Sequence, residues 1–339
     1  MILYFGGSAE DLQDTEITVR QMDEALKRRG HIVRTMEVNK HNWRKAVRIP
    51  GQVVINLVED LTWELYVKVG EALERMGRAQ AGHDLRSFKY AVKKSAFKKR
   101  MTTLGISTPK FRIVNRRTKV GSIRGMEYPL IVKPSGQHAG IGISQDSVVI
   151  DQNELSERLE YLFKHFSGEM LVEEFIDGRE VHVTVMGNGR HIVCLPYVEL
   201  MFRGEFKDNW NIYTYEAKWV KESWEYWNVP VRAIRDMPDK LNKKIEKLAL
   251  LAYRKLECRD IARFDLRIDD KDRPFIVDVN SNPSLCYDEL DATWCAAKAL
   301  GWSYEDLIEN VVAIAYKRVY KNLPDRVRER QFLLANPEK

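Results

Sequence analysis

The sequence lacks the patterns that direct a chain to a membrane or to an oxidising compartment. Its 339 residues include four cysteines, Cys194, Cys258, Cys286 and Cys295, and none of them forms a Cys-x-x-Cys pair. No apolar run approaches the roughly 20 residues that a membrane span needs, and the N-terminus has no basic segment followed by an apolar stretch. These absences predict reduced cysteines, no membrane partner and a cytoplasmic location.

The sequence also lacks a block of one charge, an internal repeat and a low-complexity tract. The net charge is +6, but 55 basic and 49 acidic residues are interspersed along the chain, which is typical of a solvated surface. The densest basic cluster spans residues 89–100 and keeps a nucleic-acid patch open as an alternative. We expect no nucleic-acid partner.

Strand and helix signals alternate along the chain and predict an α/β protein with α+β modules. Residues 1–88 predict a small open α/β sheet. A basic helix at about residues 89–104, ended by glycine and proline, opens a second unit. A third unit contains a hairpin and a final helix. We therefore predict three domains, 1–88, 89–180 and 181–339.

A predicted hairpin near the C-terminus joins two apolar runs, residues 261–268 and 275–280, through a charged turn. Both runs are rich in β-branched residues, which favour strands. Because side chains alternate along a strand, two sets of residues are each predicted to share one face: Arg263, Asp265 and Arg267 on the first strand, and Ile276, Asp278 and Asn280 on the second.

The pairing of these strands predicts a metal site. A turn centred on residues 271–272 places Asp265 opposite Asp278 and Arg263 opposite Asn280. Two carboxylates and an amide oxygen then lie together. Such hard oxygen ligands suit Mg²⁺, which takes one or two protein carboxylates and completes its shell with water and substrate phosphates. The alternative is an edge hairpin whose charges are solvated.

A glycine-containing loop in the middle of the chain predicts a phosphate site. Residues 133–142, Lys-Pro-Ser-Gly-Gln-His-Ala-Gly-Ile-Gly, lie between two predicted strands. Glycines allow backbone N–H groups to approach phosphate oxygens closely, and Lys133 adds a positive charge. The spacing matches neither the dinucleotide fingerprint nor the P-loop, so a plain turn is the alternative.

A buried strand that ends in acidic residues predicts a nucleoside site. Residues 171–176, Leu-Val-Glu-Glu-Phe-Ile, lead into a linker that is followed by Glu180. Exposed backbone beside apolar side chains can bind adenine, and a nearby carboxylate can bind ribose hydroxyls. The alternative is a solvated strand end at Glu173 and Glu174.

Taken in order, these segments resemble the ATP-grasp superfamily, and the nearest relatives look like the D-alanine–D-alanine ligases. The resemblance covers about residues 85–315 and is carried by Lys94-x-x-x-Lys98, residues 128–134, the glycine-containing loop, residues 173–180, Arg263-x-Asp265 and Asp278-x-Asn280. Residues 5–10, 195–199 and 213–218 extend it. It implies an ATP-grasp fold, in which two α+β lobes clamp ATP beside an N-terminal open α/β domain.

The resemblance also implies roles for individual residues. The phosphates of ATP would be bound by Lys94 and Lys133, with Ser135, Gly136 and Gly140 of the loop. The nucleoside would be bound by Glu173, Glu174, Phe175, Ile176 and Glu180, the last at the ribose. Two Mg²⁺ ions, for which Mn²⁺ is expected to substitute, would be held by Asp265, Asp278 and Asn280. The catalytic residues would be Arg263 and Lys218.

The implied reaction is ATP-dependent formation of an amide or peptide bond between a small-molecule carboxylate and an amine. Transfer of the γ-phosphoryl group would make an acylphosphate, which the amine attacks, so that ADP and phosphate are released. Such a transfer depends mostly on positioning and electrostatics. The acylphosphate must be kept from water, so residues 135–142 are predicted to close as a lid. A homodimer is also expected, as in related ligases.

The sequence departs from the D-alanine–D-alanine ligase pattern at both substrate ends. Beyond the metal-binding asparagine, Ser284 and Leu285 replace a glycine and a methionine, and acidic residues stand where a serine is expected. The N-terminal stretch 5–10 is one residue short, and Trp219 replaces a tyrosine. Asp278 stands where glutamate is usual. We therefore predict a carboxylate–amine pair other than two D-alanines, with D-alanine–D-alanine ligase proper as the alternative.

Further alternatives stay open from the sequence. The aromatic residues between 202 and 227 either pack in the interior or form a wall for a bulky or cationic acceptor, with Arg203 and Lys207 available for a carboxylate. Cys286 is expected to be buried and inert rather than a reactive thiol. Two functions of other classes are a protein that binds ATP without turnover and a ligase that joins an amino acid to a modified nucleic acid.

Overall fold

The computed structural model describes residues 1–6, 10–60, 62–82 and 85–330, apart from the side chains of residues 10–13, 205 and 207. Most of the stretch 5–10 therefore lies outside the described residues, as does the side chain of Lys207, which was expected to be available for a carboxylate. The strands are β1 Ile2–Tyr4, β2 Thr35–Glu37, β3 Val53–Leu57, β4 Ala79–Ala81, β5 Phe111–Val114, β6 Leu130–Pro134, β7 Val148–Val149, β8 Met170–Glu174, β9 Arg179–Asn188, β10 His191–Cys194, β11 Val198–Leu200, β12 Val231–Ala233, β13 Asp260–Ile268 and β14 Pro274–Asn280.

Helices alternate with strands in the first half of the chain and follow the last hairpin in the second. They are α1 Glu10–Arg28, α2 Trp43–Ala46, α3 Glu64–Arg75, α4 Leu85–Val92, α5 Lys94–Thr103, α6 Gln152–His165, α7 Tyr215–Trp219, α8 Trp224–Asn228, α9 Asp239–Lys255, α10 Ala292–Ala299, α11 Tyr304–Tyr320 and α12 Asp325–Arg328. Within the described ranges, no helix is both long enough and apolar enough to cross a membrane.

The first four strands form a parallel sheet in the order β2-β1-β3-β4. Alternation along β1 and β3 sends side chains to both faces, and both faces are covered, as is usual for parallel strands. Leu3 and Val54 pack with α3, whereas Ile2 and Ile55 pack with α1 and α11. The predicted N-terminal α/β sheet is therefore present.

The next four strands form an antiparallel sheet in the order β5-β8-β6-β7. Helix α6 covers one face, where its leucines pack with Val132 and Val172. Asp151 caps this helix by accepting hydrogen bonds from two backbone N–H groups of its first turn. Because side chains alternate, Lys133 and Glu173 lie on the face that α6 leaves uncovered.

The last six strands form an antiparallel sheet in the order β12-β11-β9-β13-β14, with β10 paired to β9. One face packs on α9 through buried side chains such as Val183, Phe264 and Ile245. The opposite face carries polar residues from neighbouring strands: Glu180, His182 and Thr184 on β9, and Arg263, Asp265 and Arg267 on β13. This sheet therefore has an apolar side and a polar side.

The basic helix predicted over residues 89–104 is two helices, α4 and α5, so the prediction of one continuous helix is wrong. Lys93 between them has an extended backbone, with φ −133° and ψ 99°. Lys94 N donates to Ser135 O at 2.9 Å, and Ser95 N donates to Ser135 Oγ at 3.0 Å. Ser135 thus satisfies the free N–H groups at the start of α5 and breaks the helix there.

The first sheet ends with β4 before residue 88 and the second lies within residues 89–180, but β9 of the third sheet begins at Arg179, two residues before the predicted limit at 181. The domain limits themselves stay a prediction. Helix α11, near the C-terminus, packs on β4 and α1, so the last segment also supports the N-terminal sheet.

Candidate active site

The hairpin β13–β14 has the two pairs that the sequence predicts. Asp265 pairs with Asp278, and Arg263 pairs with Asn280, so these side chains project from the polar face of the sheet. On the other side of β13, His182 pairs with Asp265. A row of titratable side chains therefore crosses β9, β13 and β14.

One residue of the predicted face lies on the other side of the sheet. Leu266 pairs with Ile276, which shifts the register relative to the pair of Asp265 with Asp278. Val277 is the extra residue of a β-bulge, and a bulge reverses the alternation. Ile276 is therefore fully buried in the apolar core with Leu266, and the prediction that it shares the face of Asp278 is wrong.

Arg263 and Asp265 form the central charge pair of the polar face. Arg263 Nε and Nη2 donate to the two oxygens of Asp265 at 2.7 and 3.1 Å, and Asn280 Nδ2 donates to Asp265 Oδ2 at 3.0 Å. Burial opposes the charge of each partner, but the pairing outweighs burial. It holds the pKa of Asp265 well below its usual range and raises the pKa of Arg263, so both are charged at neutral pH.

Lys94 connects the hairpin to the glycine-containing loop. Its Nζ lies 3.3 Å from Asp278 Oδ2 and donates to Gln137 O at 2.8 Å. Burial opposes ionisation of Asp278, but Lys94 and Lys133 outweigh it and lower the pKa of this carboxyl. The two lysines are therefore counter-ions of the predicted metal-binding acid.

Two buried lysines bind Glu173. Lys98 Nζ and Lys133 Nζ lie 2.7 and 2.9 Å from its two carboxylate oxygens. Burial lowers the pKa of Lys98 to about 8, whereas Glu173 and Asp278 outweigh burial at Lys133 and raise its pKa. Glu173 is thus the counter-ion of both lysines, and its role at the adenine stays a prediction.

The glycine-containing loop contacts helix α7. Gly140 has φ +82°, and a Cβ atom there would lie 3.2 Å from the backbone of Tyr215, so a residue without a side chain is needed. Trp219 Nε1 donates to Ala139 O at 2.8 Å. A Cβ atom on Gly136 would meet nothing within 4 Å. Only part of the loop is therefore sterically constrained.

The loop also contacts the N-terminal domain. His138 lies edge-on to Trp63, with ring centroids 5.4 Å apart, and its Nε2 donates to Val92 O at 3.2 Å. Burial, followed by the charge of Lys94, lowers the pKa of His138 to about 4. A neutral imidazole therefore anchors the loop to the N-terminal side.

Arg267 organises the predicted nucleoside side of the site. Its Nε donates to Ile176 O at 2.9 Å, and its Nη1 donates to Glu180 Oε2 at 3.0 Å and to Asn211 O at 2.7 Å. Its guanidinium lies 5.1 Å from the centre of the Phe175 ring. A cavity of about 700 Å³ opens beside it, lined by Asp177, Phe202, Arg203, Gly204, Phe206, Asp208, Asn209, Trp210 and Asn211.

Two of the predicted cofactor-binding side chains have structural partners in the free protein. The Glu174 carboxylate lies 3.2 Å from Lys110 Nζ and accepts a hydrogen bond from Glu127 N at 3.1 Å, because alternation turns it away from Glu173. The Ser135 hydroxyl caps α5. Neither contact tests a role in nucleotide binding.

Lys218 and Asp291 are ionisable residues close enough to Arg263 to interact with its charge. Lys218 Nζ lies 4.7 Å from the centre of the Tyr213 ring, and burial, together with Arg263, lowers the pKa of Lys218. Asp291 is 8% exposed and accepts a hydrogen bond from Trp294 N at 2.7 Å at the start of α10. Burial raises its pKa to about 6.

The aromatic segment contains both packed and exposed rings. Trp210 lies edge-on to Phe175, and Trp224 packs on Phe206 with centroids 4.9 Å apart, whereas Trp227 is 72% exposed. Cys286 is buried, and burial raises the pKa of its thiol to about 12. A thiolate is therefore disfavoured, as the expectation of an inert cysteine requires.

Sequence reasoning missed His182 and the central role of Arg267. His182 stands two residues after Glu180, so alternation along β9 was a signal that it shares the face of that acid. Arg267 was placed on the correct face, but its contacts with Ile176 and Asn211 depend on loops that are distant in sequence.

The donors of the polar face fit a hard divalent cation. Asp265, Asp278 and Asn280 present carboxylate and amide oxygens, which Mg²⁺ prefers. Within the described part of the chain, no three His, Cys, Asp or Glu side chains are arranged as a metal site. A site with two carboxylates is consistent with an ion that takes its remaining ligands from water and phosphates.

Comparisons with known proteins show the family of the chain. A family model for the D-ala D-ala ligase C-terminus matches residues 101–313. The uncharacterized protein y4sG of Sinorhizobium fredii is 30% identical over 275 residues, which cover 80% of this chain and 76% of that protein. A D-alanine–D-alanine ligase of Pelotomaculum thermopropionicum is 30% identical over 252 residues, which cover 72% of this chain and 74% of that protein.

Solved structures show the same fold. The D-alanine–D-alanine ligase of Bacillus anthracis complexed with ATP superposes with a TM-score of 0.74 at 20% identity, and the match covers 94% of this chain and 97% of that chain. The structure of the D-alanine–D-alanine ligase from Coxiella burnetii has a TM-score of 0.69 at 14% identity and covers 94% of each chain. At these identities the likeness shows the fold alone.

Fold, site and family match define an ATP-dependent ligase that joins a carboxylate to an amine and forms ADP. The chain belongs to the D-alanine–D-alanine ligase family. The predicted ATP-grasp fold and enzyme class are confirmed. The family uses ATP and a divalent metal ion and acts on small-molecule substrates.

Proposed function

We propose that ATP lies between the glycine-containing loop and the polar face of the C-terminal sheet. The observation that carries this proposal is the chain of charges across that cleft, in which Lys94 contacts both Asp278 and the loop and Lys133 lies beside Glu173. ATP phosphates would replace the carboxylates as partners of these lysines. Glu180, held by Arg267, would bind the ribose.

Asp265, Asp278 and Asn280 would hold two Mg²⁺ ions, with Mn²⁺ as a substitute. The donor set supports this proposal, because all of these ligands are hard oxygens. When bound, the ions would neutralise charge on the phosphate oxygens. Asp278 is shorter than the glutamate that is usual in related ligases, so its single carboxylate would have less reach between two ions.

The residues of the chain would position the substrates and exclude water. Arg263 would bind the transferred phosphoryl group, since its guanidinium faces the same cleft as Lys94 and is held charged by Asp265. Lys218 would add positive charge from helix α7. The contact of Trp219 with Ala139 would keep the loop over the acylphosphate, because exclusion of water both protects the intermediate and strengthens these electrostatic interactions.

The substrates would be a carboxylate and an amine other than two D-alanines. Ser284 and Leu285 depart from the usual pattern, and Asp288 and Glu289 stand close to the buried Asp291. Carboxylates at this end would repel the carboxylate of a D-alanine acceptor. D-alanine–D-alanine ligase proper is the second candidate, supported by the relatives that carry that name.

The test is ADP release with and without Mg²⁺ across a panel of amino acids and small amines, with the amide product identified by mass spectrometry. We expect release to depend on Mg²⁺ and on one carboxylate–amine pair. Arg263→Lys should abolish most of the turnover, while Arg232→Lys, exposed on β12 of the same sheet, should leave it unchanged. Nucleotide binding with no turnover on any pair would favour a binding protein instead.

Two further features remain proposals. A cytoplasmic location is supported by the four cysteines, all of which are free. A homodimer is supported by the family resemblance. Binding to nucleic acid through the basic helix has less support, because Lys94 and Lys98 of that helix are buried and contact acids inside the protein.

A further inference from the structure

His182 is a buried side chain whose ring nitrogens both lack a hydrogen-bond partner within the described part of the chain. It is 5% exposed. Its Nε2 lies 3.5 Å from Glu180 Oε1 and 3.7 Å from Asp265 Oδ1, whereas N–H···O hydrogen bonds are mostly shorter than about 3.2 Å. Because an unsatisfied buried polar group is destabilising, the free protein leaves this imidazole without the partner that would justify its burial.

The Asp265 carboxylate accepts more hydrogen bonds than its proposed role as a metal ligand allows. In the free protein, Arg263 and Asn280 donate three hydrogen bonds to its two oxygens. A carboxylate that binds a metal ion must give lone pairs to that ion. A guanidinium that binds a phosphoryl group must likewise release N–H groups. The bidentate pair of Arg263 with Asp265 must therefore open when nucleotide and metal bind.

His182 is placed to take over one of these hydrogen bonds. It pairs with Asp265 across β9 and β13, so its imidazole and the carboxylate project from adjacent positions on the same face. A movement of about 1 Å would bring Nε2 to hydrogen-bond distance from Asp265 Oδ1. The contact that His182 would give up is weak, because Nε2 lies 3.5 Å from Glu180 Oε1, beyond the length of most N–H···O hydrogen bonds.

We propose that His182 is a positioning residue that acts through Asp265. In the loaded site, its Nε2–H donates to Asp265 and fixes the orientation of the carboxylate toward the metal ion, as hydrogen-bonded neighbours of metal ligands commonly do. The inference rests on the proposed metal site.

The test compares two substitutions that differ only in the donor. His182→Leu removes both ring nitrogens, whereas His182→Gln places an amide N–H near the position of Nε2. The probe is Mn²⁺, whose binding in the presence of ADP is followed by electron paramagnetic resonance. We expect His182→Leu to weaken Mn²⁺ binding by roughly tenfold or more, and His182→Gln to retain most of the affinity.

The second readout is thermal unfolding without nucleotide or metal. Because His182 makes no hydrogen bond in the free protein, His182→Leu should leave the Tm unchanged or raise it. Opposite effects on Tm and on Mn²⁺ affinity distinguish positioning from simple packing. His191→Gln, at an exposed position on β10, is the control and should change neither readout.

Several results would overturn the proposal. Unchanged Mn²⁺ affinity in His182→Leu would exclude the role, and a joint fall of affinity and Tm would make His182 a structural residue. Equal weakening of ADP binding in the presence and absence of Mn²⁺ would place the imidazole at the nucleotide instead. If the wild-type chain binds ADP but no Mn²⁺, the proposed metal site itself fails, and the role of His182 fails with it.

Discussion

Asp278 is the single residue that tests the metal site most directly. Asp278→Asn keeps the size of the side chain but removes its charge, so Lys94 loses its counter-ion and the metal loses a carboxylate. We expect kcat/KM for ATP to fall by about 10-fold to 100-fold, with partial recovery at high Mg²⁺. The measurement is ADP release over a series of Mg²⁺ concentrations.

The control for this change lies on the same hairpin. Asp272 is exposed in the turn and has φ +53°, a conformation that asparagine also tolerates. Asp272→Asn should leave both the rate and its Mg²⁺ dependence unchanged. Equal rates for Asp278→Asn and the wild type would contradict the assignment of Asp278 to the metal.

Asp291 gives a prediction about pH. Burial raises its pKa from 3.8 to about 6, so the folded state holds this proton more tightly than the unfolded state. Stability therefore falls as the pH rises from about 4 to about 6 and stays lower above that range. Asp291→Asn keeps the helix cap and removes the free-energy cost of burying a charged carboxylate. We expect it to stabilise the protein at pH 7 by about 1–3 kcal/mol.

The pH profile of the Tm separates this effect from ordinary packing. The gain of Asp291→Asn should shrink as the pH falls and disappear near pH 4, where the carboxyl is protonated in both states. Asp151→Asn, at the exposed cap of α6, serves as the control and should show no such growth in stability between pH 4 and pH 7. An equal gain at both pH values would contradict burial of the charge as its cause.

At the scale of elements, patterns along the sequence predicted the strands and pairs that depend on residues close together in the chain. The N-terminal α/β sheet occurs within the residues where alternating strand and helix signals predict it, and the hairpin β13–β14 has the expected pairs at Arg263 and Asp265. The break between α4 and α5 was missed because its cause, Ser135, is 40 residues away from Ser95. The bulge at Val277 was missed because strict alternation has no place for an extra residue.

The glycine-containing loop carries the prediction that belongs to this scale. Gly140→Ala places a Cβ atom 3.2 Å from the backbone of Tyr215 at a positive φ, so the loop can no longer lie against α7 without strain. We expect kcat/KM for ATP to fall by about tenfold or more, and ADP release without an acceptor amine to rise relative to the coupled reaction.

The same loop supplies its own control. Gly136→Ala adds a methyl group where nothing lies within 4 Å, so activity and coupling should be close to those of the wild type. The Tm of Gly136→Ala should equal that of the wild type, whereas Gly140→Ala should lower the Tm, because a side chain at this positive φ against Tyr215 is strained. Normal coupling in Gly140→Ala would show that close contact with α7 is not needed to protect the intermediate.

At the scale of the whole molecule, the sequence predicted which segments meet but not how the polar face is assembled. The metal-binding pair is local, because a short turn joins β13 to β14. The row from His182 to Asp278 needs the register of β9 against β13, two strands far apart in the chain. Contacts of this kind depend on long-range pairing, which a pattern along one strand does not encode.

Side-chain hydrogen bonds between residues far apart in the chain also join the N-terminal sheet to the C-terminal one. Arg318 on α11 donates from Nε and Nη2 to the carboxylate of Asp260 at 3.0 and 2.9 Å, and Nη2 also donates to Gln80 O of β4 at 2.7 Å. Asp260 is 0% exposed. One guanidinium therefore satisfies a buried acid of β13 and a backbone carbonyl of the other sheet.

Arg318→Met should destabilise the whole molecule, because it leaves the Asp260 carboxylate with the Asn188 amide but without a cation. Removing one partner of a buried pair costs about 3 kcal/mol or more, which corresponds to a fall in Tm of roughly 5 °C or more. Arg20→Met, at an exposed and distant ion pair, should change the Tm little. Adding Asp260→Asn to Arg318→Met should recover much of the loss, because no buried charge then remains unpaired. A double variant no more stable than Arg318→Met would mean that the contact with β4, rather than the buried charge, sets the stability of this junction.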